Sequence, residues 1–127
     1  MRKALFLIAS MLSIVCSAPL VGQEVKVGKV SYYSDKFHGK KTANGQIFDK
    51  NKLTAASPLK PGTTIPEFAF GTKLKVTNLS NGKSVVVIIN DTGSFGKYGR
   101  VLDLSEKAFS DIAELKKGVV KVKIERL

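Results

Sequence analysis

The sequence predicts an all-β chain, a small barrel of short strands with one short helix. Three observations carry this. Apolar and polar residues alternate in several short runs, the period of a strand with one buried face. Glycine, proline and asparagine interrupt those runs at short intervals. One stretch alone, near the C-terminus, keeps a helical spacing of apolar residues.

Taken in order, residues 25–33 alternate through Val25, Val27, Val30 and Tyr32 with a phase shift, which predicts a first strand with a bulge near Gly28. Residues 34–45 hold Gly39, Asn44 and Gly45 among lysines and read as a long surface loop. Gln46-Ile47-Phe48-Asp49 reads as a short strand or turn, and residues 53–57 as a short apolar strand. Pro58, Pro61 and Pro66 forbid a regular element up to Phe70. Leu74 and Val76 alternate with Lys73 and Lys75, a half-buried strand over 72–77. Asn81-Gly82 then predicts a hairpin.

The returning strand contains Val85-Val86-Val87-Ile88-Ile89, five β-branched residues that favour a buried strand. It is expected to stop at Asn90-Asp91-Thr92-Gly93, which is turn chemistry. A carboxylate at the mouth of a rigid strand is well placed for catalysis. This stretch taken alone favours the plainer role, capping the turn through backbone N–H groups. A second glycine loop covers 91–100, and Val101-Leu102-Asp103-Leu104 is a short strand. Ser105 as N-cap and Glu106 in the first turn open a helix over 106–115 on Ala108, Phe109, Ile112 and Leu115, ended by Gly118. Residues 119–124 close the chain as a strand.

The 127 residues suffice for one domain, and the apolar fraction of 43% excludes a disordered chain. Arg2 and Lys3 followed by the apolar run from Ala4 to Ala18 read as an export signal, too short for a membrane span. Processing fits best after Gly22, since Pro19 disfavours a cut after Ala18. Cys16 offers lipidation as an alternative, against which Val15 stands, because such sites want a small residue there. The expected division is therefore a signal peptide over 1–22 and one domain over 23–127. Arg2 and Lys3 leave with the leader, so 19 of the 21 basic residues and all 10 acidic ones remain, a formal charge of +9. A positive exported protein meets anionic polymers of the cell envelope. Export and the scatter of the basic residues argue against nucleic acid. With Cys16 in the leader, no disulfide framework or cysteine zinc site is available. His38 stands without a second histidine, so neither a metal nor another cofactor is expected.

The order of motifs is more specific than any one of them. Ser31-Tyr32-Tyr33, Phe37-His38-Gly39, Thr42-Ala43-Asn44-Gly45, Phe48-Asp49, Leu53-Thr54-Ala55-Ala56, Phe70-Gly71-Thr72, Val76-Thr77-Asn78, Asn81-Gly82, Asn90-Asp91 and the run from Gly99 to Ser105 follow one another. Across residues 29–126 this order resembles the rare lipoprotein A family of septal peptidoglycan lytic transglycosylases. The resemblance implies a six-stranded double-psi β-barrel, related to expansins, with a groove that takes peptidoglycan glycan strands. It implies cleavage by the sugar's own 6-hydroxyl instead of water, giving 1,6-anhydro ends. That chemistry needs a proton donor at the glycosidic oxygen and a base on the hydroxyl.

The family pattern has a glutamate after Asn-Gly, a histidine after Thr-Ala-Ala and an aspartate after Asn. This sequence has Gln46, Ser57 and Asp91 at those places. A glutamine amide bonds a sugar but has no acidic proton to give. Three readings stay open: Asp91 alone as acid and base, another carboxylate in support, or an expansin-like module that binds or loosens glycan without cutting it. Glu67, in the 58–69 segment where the family has a shorter connection, is the candidate substitute, against the reading that it is a solvated residue of a surface insertion. Tyr33, His38, Thr42, Gln46 and Ser57 are the expected substrate-binding residues, with Phe37 and Tyr32 as further stacking candidates. Strand alternation lets one of Tyr32 and Tyr33 line the groove while the other packs inward. Asp49 and Asp103 read as structural ties to loop backbone. A more distant reading is a small basic secreted protein that binds another protein or an acidic surface. A monomer is expected.

Overall fold

A computed structural model of the chain describes residues 23–96 and 99–127. The expected leader, its cleavage sites and Cys16 lie outside the described residues, as does Lys97 within the second glycine loop. Among the described residues there are six strands: β1 (Gln23–Tyr32), β2 (Thr54–Pro58), β3 (Lys73–Asn78), β4 (Ser84–Gly93), β5 (Arg100–Leu104) and β6 (Val120–Arg126). One helix, α1 (Glu106–Ile112), stands between β5 and β6. The strands close into a barrel in the order β1-β5-β2-β4-β3-β6, the double-psi β-barrel that the sequence leads one to expect. The pairs β1–β5 and β2–β4 are parallel and the other four antiparallel. A closed barrel leaves no strand edge open to pairing with another chain.

The core is the barrel interior. Leu74 and Val76 of β3, Val85, Val87 and Ile89 of β4, Leu102 and Leu104 of β5, and Val122 and Ile124 of β6 all point into it. The Ala108, Phe109 and Ile112 face of α1 packs onto the same cluster. The β-branched run of β4 is buried on one face only. Val86 and Ile88 are 41% and 42% exposed, because a barrel wall has a single interior.

The hairpin at Asn81-Gly82 forms as expected, with Gly82 at φ 77°, a conformation that favours glycine. The register of β1 against β5 shifts between Lys29 and Val30, but the extra residue there is Val101 of β5; β1 itself carries an extra residue at Val25 against β6, three positions before the bulge expected near Gly28. Residues 46–49 form no strand; Ile47 makes one isolated bridge to Lys41.

Ser105 caps α1 by accepting from the Ala108 N–H, and also donates to the Lys52 carbonyl. The helix ends at Ile112, three residues before the expected end, and a 3-10 turn follows over Leu115–Lys117. The reason lies in the hairpin. The side-chain amides of Asn78 and Asn81 both donate to the Ile112 carbonyl, at 2.8 and 3.0 Å, and Ala113 turns to extended backbone. The carbonyl that a longer helix would use is already taken.

Ile89 is fully buried at the centre of the wall. Ile89→Ala is expected to cost about 2–5 kcal/mol, read as a lower urea midpoint with an unchanged slope.

Candidate functional site

The expected end of the central strand is the most informative departure from the sequence reading. β4 does not stop at Asn90 but runs on to Gly93, pairing in parallel with β2. Ala55 faces Ile89 while Ala56 faces Asp91, so Asn90 is the extra residue of a β-bulge. Strict alternation from Val85, Val87 and Ile89 would send Asp91 into the barrel core. The bulge shifts the phase by one residue. Asp91 comes out beside Ala56, on the face that holds Tyr33, Phe48 and Phe95 as a second apolar cluster.

There the carboxylate is held at both oxygens. Oδ2 accepts from the Tyr33 hydroxyl at 2.8 Å. Oδ1 accepts from the backbone N–H groups of Ala43 and Thr92, at 2.8 and 2.9 Å. Asp91 is an acceptor in all three, the pattern an ionised carboxylate satisfies. Burial, then the hydrogen bond to Asp91 and the charges of Asp91 and Asp103, push the Tyr33 hydroxyl well above the usual phenol range. Tyr33 therefore stays a donor at any physiological pH. Its ring stacks on Phe48 with centroids 4.4 Å apart and meets Phe37 edge-on at 6.0 Å. Phe37 is 42% exposed and is the aromatic ring of this group that faces solvent.

The loop over 40–47 drapes across the end of β4. Asn44 N–H bonds the Asn90 carbonyl, and Ala43 N–H bonds Asp91. Gly45, at φ 93°, makes the tight return that lets Thr42 N–H reach the Gln46 carbonyl at 2.7 Å. Thr42 is buried, its hydroxyl spent on Asn44 Oδ1 and the Gln46 carbonyl. Gln46 is exposed. Its Oε1 accepts from the side-chain amides of Asn44 and Asn90, at 3.2 and 3.3 Å, which orients it beside the bulge.

Of the expected binding residues, Tyr33, Thr42 and Gln46 thus gather round Asp91. His38 is exposed in the same loop region, with Nδ1 accepting from Lys50 N–H. Ser57 is not brought to the groove. It is fully buried, donates to the Pro58 carbonyl and accepts from Phe68 N–H, and so pins the segment after β2. Tyr32 points the other way from Tyr33, packing on Phe109 and donating to the Leu115 carbonyl. Asp49 accepts from Asn51 N–H, a local turn tie. Glu67 pairs with Lys26 at 3.1 Å, away from Asp91's partners.

Asp103 is expected from the sequence to tie loop backbone. Instead it pairs with Ala56 from the β5 side, as Asp91 does from the β4 side, and with Ser31 of β1. Ser31, Asp103, Ala56 and Asp91 form one row across four strands. Asp103 Oδ1 accepts from Ser31 Oγ at 2.9 Å, and Ser31 Oγ accepts from Arg100 Nη1 at 2.6 Å. Burial pushes the Asp103 carboxyl above its usual range, and the Asp91 charge adds to this; Ser31 and Arg100 oppose it. The signal available in the sequence was the alternation Val101, Asp103 against Leu102, Leu104.

Comparison with known proteins follows the geometry. The family model described as lytic transglycolase matches residues 25–124. A Rickettsia bellii protein named endolytic peptidoglycan transglycosylase RlpA is 47% identical over 105 residues, covering 80% of this chain and 42% of its own length. A Synechocystis protein named probable endolytic peptidoglycan transglycosylase RlpA is 48% identical over 103 residues, covering 81% and 29%. The chain spans less than half the length of these curated relatives. Among solved structures, the Streptomyces papain inhibitor superposes with TM-score 0.64 at 26% identity, covering 84% of this chain and 96% of that one. A Clavibacter michiganensis expansin superposes with TM-score 0.62 at 23% identity, covering 80% and 49%, which shows a shared fold.

A carboxyl whose value is raised in the folded state binds its proton more tightly there than in the unfolded chain. The stability it contributes is complete below the unfolded carboxylate range and is lost as pH rises through the folded value. The melting temperature of the parent is therefore expected to fall relative to Asp103→Asn between about pH 3 and pH 7, measured by circular dichroism. Parallel pH curves would refute this placement of the proton.

Proposed function

The chain belongs to the lytic transglycolase family, and we propose that it is exported to the cell envelope and cleaves peptidoglycan glycan strands without water, leaving 1,6-anhydro ends. The observation that carries this reading is Asp91 on its bulge, held at both oxygens by a tyrosine hydroxyl and two backbone N–H groups. Such pre-organised contacts fix a reacting group without reorganisation at the moment of reaction.

The proton balance closes on Asp91 alone. Its carboxylate takes the proton from the muramic 6-hydroxyl as that oxygen bonds to the anomeric carbon. The glycosidic C–O bond breaks, and Asp91 returns the proton to the departing oxygen, leaving the carboxylate as it began. Gln46 has no acidic proton for this step, and Glu67 is engaged with Lys26. Phe37 offers an exposed ring on which a sugar face stacks, and Gln46 an amide N–H₂ for a hydroxyl.

One observation favours a second reading, a non-catalytic glycan-binding module: the residue oriented beside Asp91 by Asn44 and Asn90 is a neutral amide. Incubation with purified sacculi and mass spectrometry for anhydro ends separates the two. Cleavage by the parent and a loss of about 10²–10⁴ or more in Asp91→Asn is the result expected. Retention on sacculi without new ends would select the binding module. Both amides donate to Gln46 Oε1, so a carboxylate there keeps the same bonds. Gln46→Glu is accordingly expected to fold normally and to raise cleavage by on the order of 10².

A further inference from the structure

A cavity of about 500 Å³ lies beyond the C-terminal end of β2, outside the group around Asp91. Its walls are the start of β1, the segment from Pro58 to Glu67, and the approach to β5. The 58–67 wall is built, not loose. Glu67 N–H bonds the Pro58 carbonyl, Lys60 N–H bonds the Ile65 carbonyl, Leu59 bridges Pro66, and Lys26 ties Glu67 to β1. Among the described residues four charged side chains line the cavity: Lys26, Lys60, Glu67 and Arg100. Lys26 and Glu67 neutralise each other. Lys60 has no carboxylate partner among the described residues. Arg100 spends one N–H on Ser31 and lies over the Phe95 ring at 5.2 Å, which fixes its plane and leaves donors unspent. A pocket of this size, with Lys60 unpaired among the described residues and Arg100 reaching Asp103 only through Ser31, is matched by an anion.

We propose that this cavity binds a carboxylate carried by the glycan, received by the Arg100 guanidinium and the Lys60 ammonium. The inference rests on the glycan reading and deepens it, by assigning the charged substituent that distinguishes peptidoglycan from a neutral polysaccharide. Muramic acid presents that chemistry in two forms, the free lactyl carboxyl of a bare strand and the carboxyls of a stem peptide. Arg100 is also the far end of the Arg100–Ser31–Asp103 chain, so occupancy of the cavity reaches the row of site residues through two hydrogen bonds.

The test is equilibrium binding of the purified protein to four soluble oligomers. These are muramic-acid glycan with free lactyl carboxyls, the same glycan amidated at those carboxyls, the same glycan bearing stem peptides, and neutral N-acetylglucosamine oligomers. A carboxylated oligomer is expected to bind about tenfold more tightly than the amidated one, with the preference weakening in salt. In Lys60→Gln and in Arg100→Gln that ratio is expected to fall to about one; Lys60→Arg retains it. Preference for the bare strand assigns the lactyl carboxyl, and preference for the peptide-bearing strand alone assigns the stem. Equal binding of carboxylated, amidated and neutral oligomers would overturn the cavity assignment and leave the glycan reading standing. A preference that survives both neutralising variants would overturn it as well. Failure of all four oligomers to bind would overturn both.

Discussion

One unpaired residue in one strand decides what this barrel presents to its groove. The wall of a closed barrel alternates strictly between core and exterior, and β4 follows that rule from Ser84 to Ile89. Continued by one more step, the rule would bury a carboxylate among Val87, Leu102 and Ile124, at a cost of several kcal/mol for an unpaired charge. The bulge at Asn90 removes that conflict. It also places Asp91 level with Ala56, whose small side chain leaves room for the rings of Tyr33 and Phe48. Loop 40–47 is fixed by the same event, since its Ala43 and Asn44 N–H groups bond to Asp91 and to the Asn90 carbonyl. The site is thus the outer consequence of how the core is packed.

The same device makes the environment of the two carboxyls unequal. Asp91 receives three donors across its two oxygens, whereas Asp103 receives one, from a hydroxyl that is itself held by Arg100. Here the difference arises from strand position. Asp91 lies where backbone N–H groups of a draped loop are free to donate, and Asp103 lies within a continuous ladder whose N–H groups are already spent.

Much of this was legible in the sequence because it is written in local chemistry. Asn81-Gly82 specifies a hairpin, Ser105 a helix start, and the Leu74–Val76 and Val122–Ile124 alternations a half-buried wall. What was hidden depends on neighbours distant in sequence. The helix loses its last turn to asparagines more than thirty positions earlier. Asn90-Asp91-Thr92-Gly93 has the composition of a turn, and only pairing with β2 makes it strand. Ser57 is consumed by Phe68 N–H and the Pro58 carbonyl, partners supplied by the segment that follows. Asp103 was read as a tie because nothing near it in sequence shows that it shares Ala56 with Asp91.

The departures from the family pattern form one physical set. A histidine at position 57 would need space that the packed serine does not leave, between the Pro58 carbonyl and Phe68. The segment that closes over that serine also builds the wall of the cationic cavity, with Lys60 at its turn and Glu67 tied to Lys26. The segment after β2 therefore both engages Ser57 and walls the cavity. Gln46 is held by Asn44 and Asn90, whose amides donate to its Oε1, and it carries no titratable proton. None of the three hydrogen bonds that hold Asp91 comes from Ser57 or Gln46.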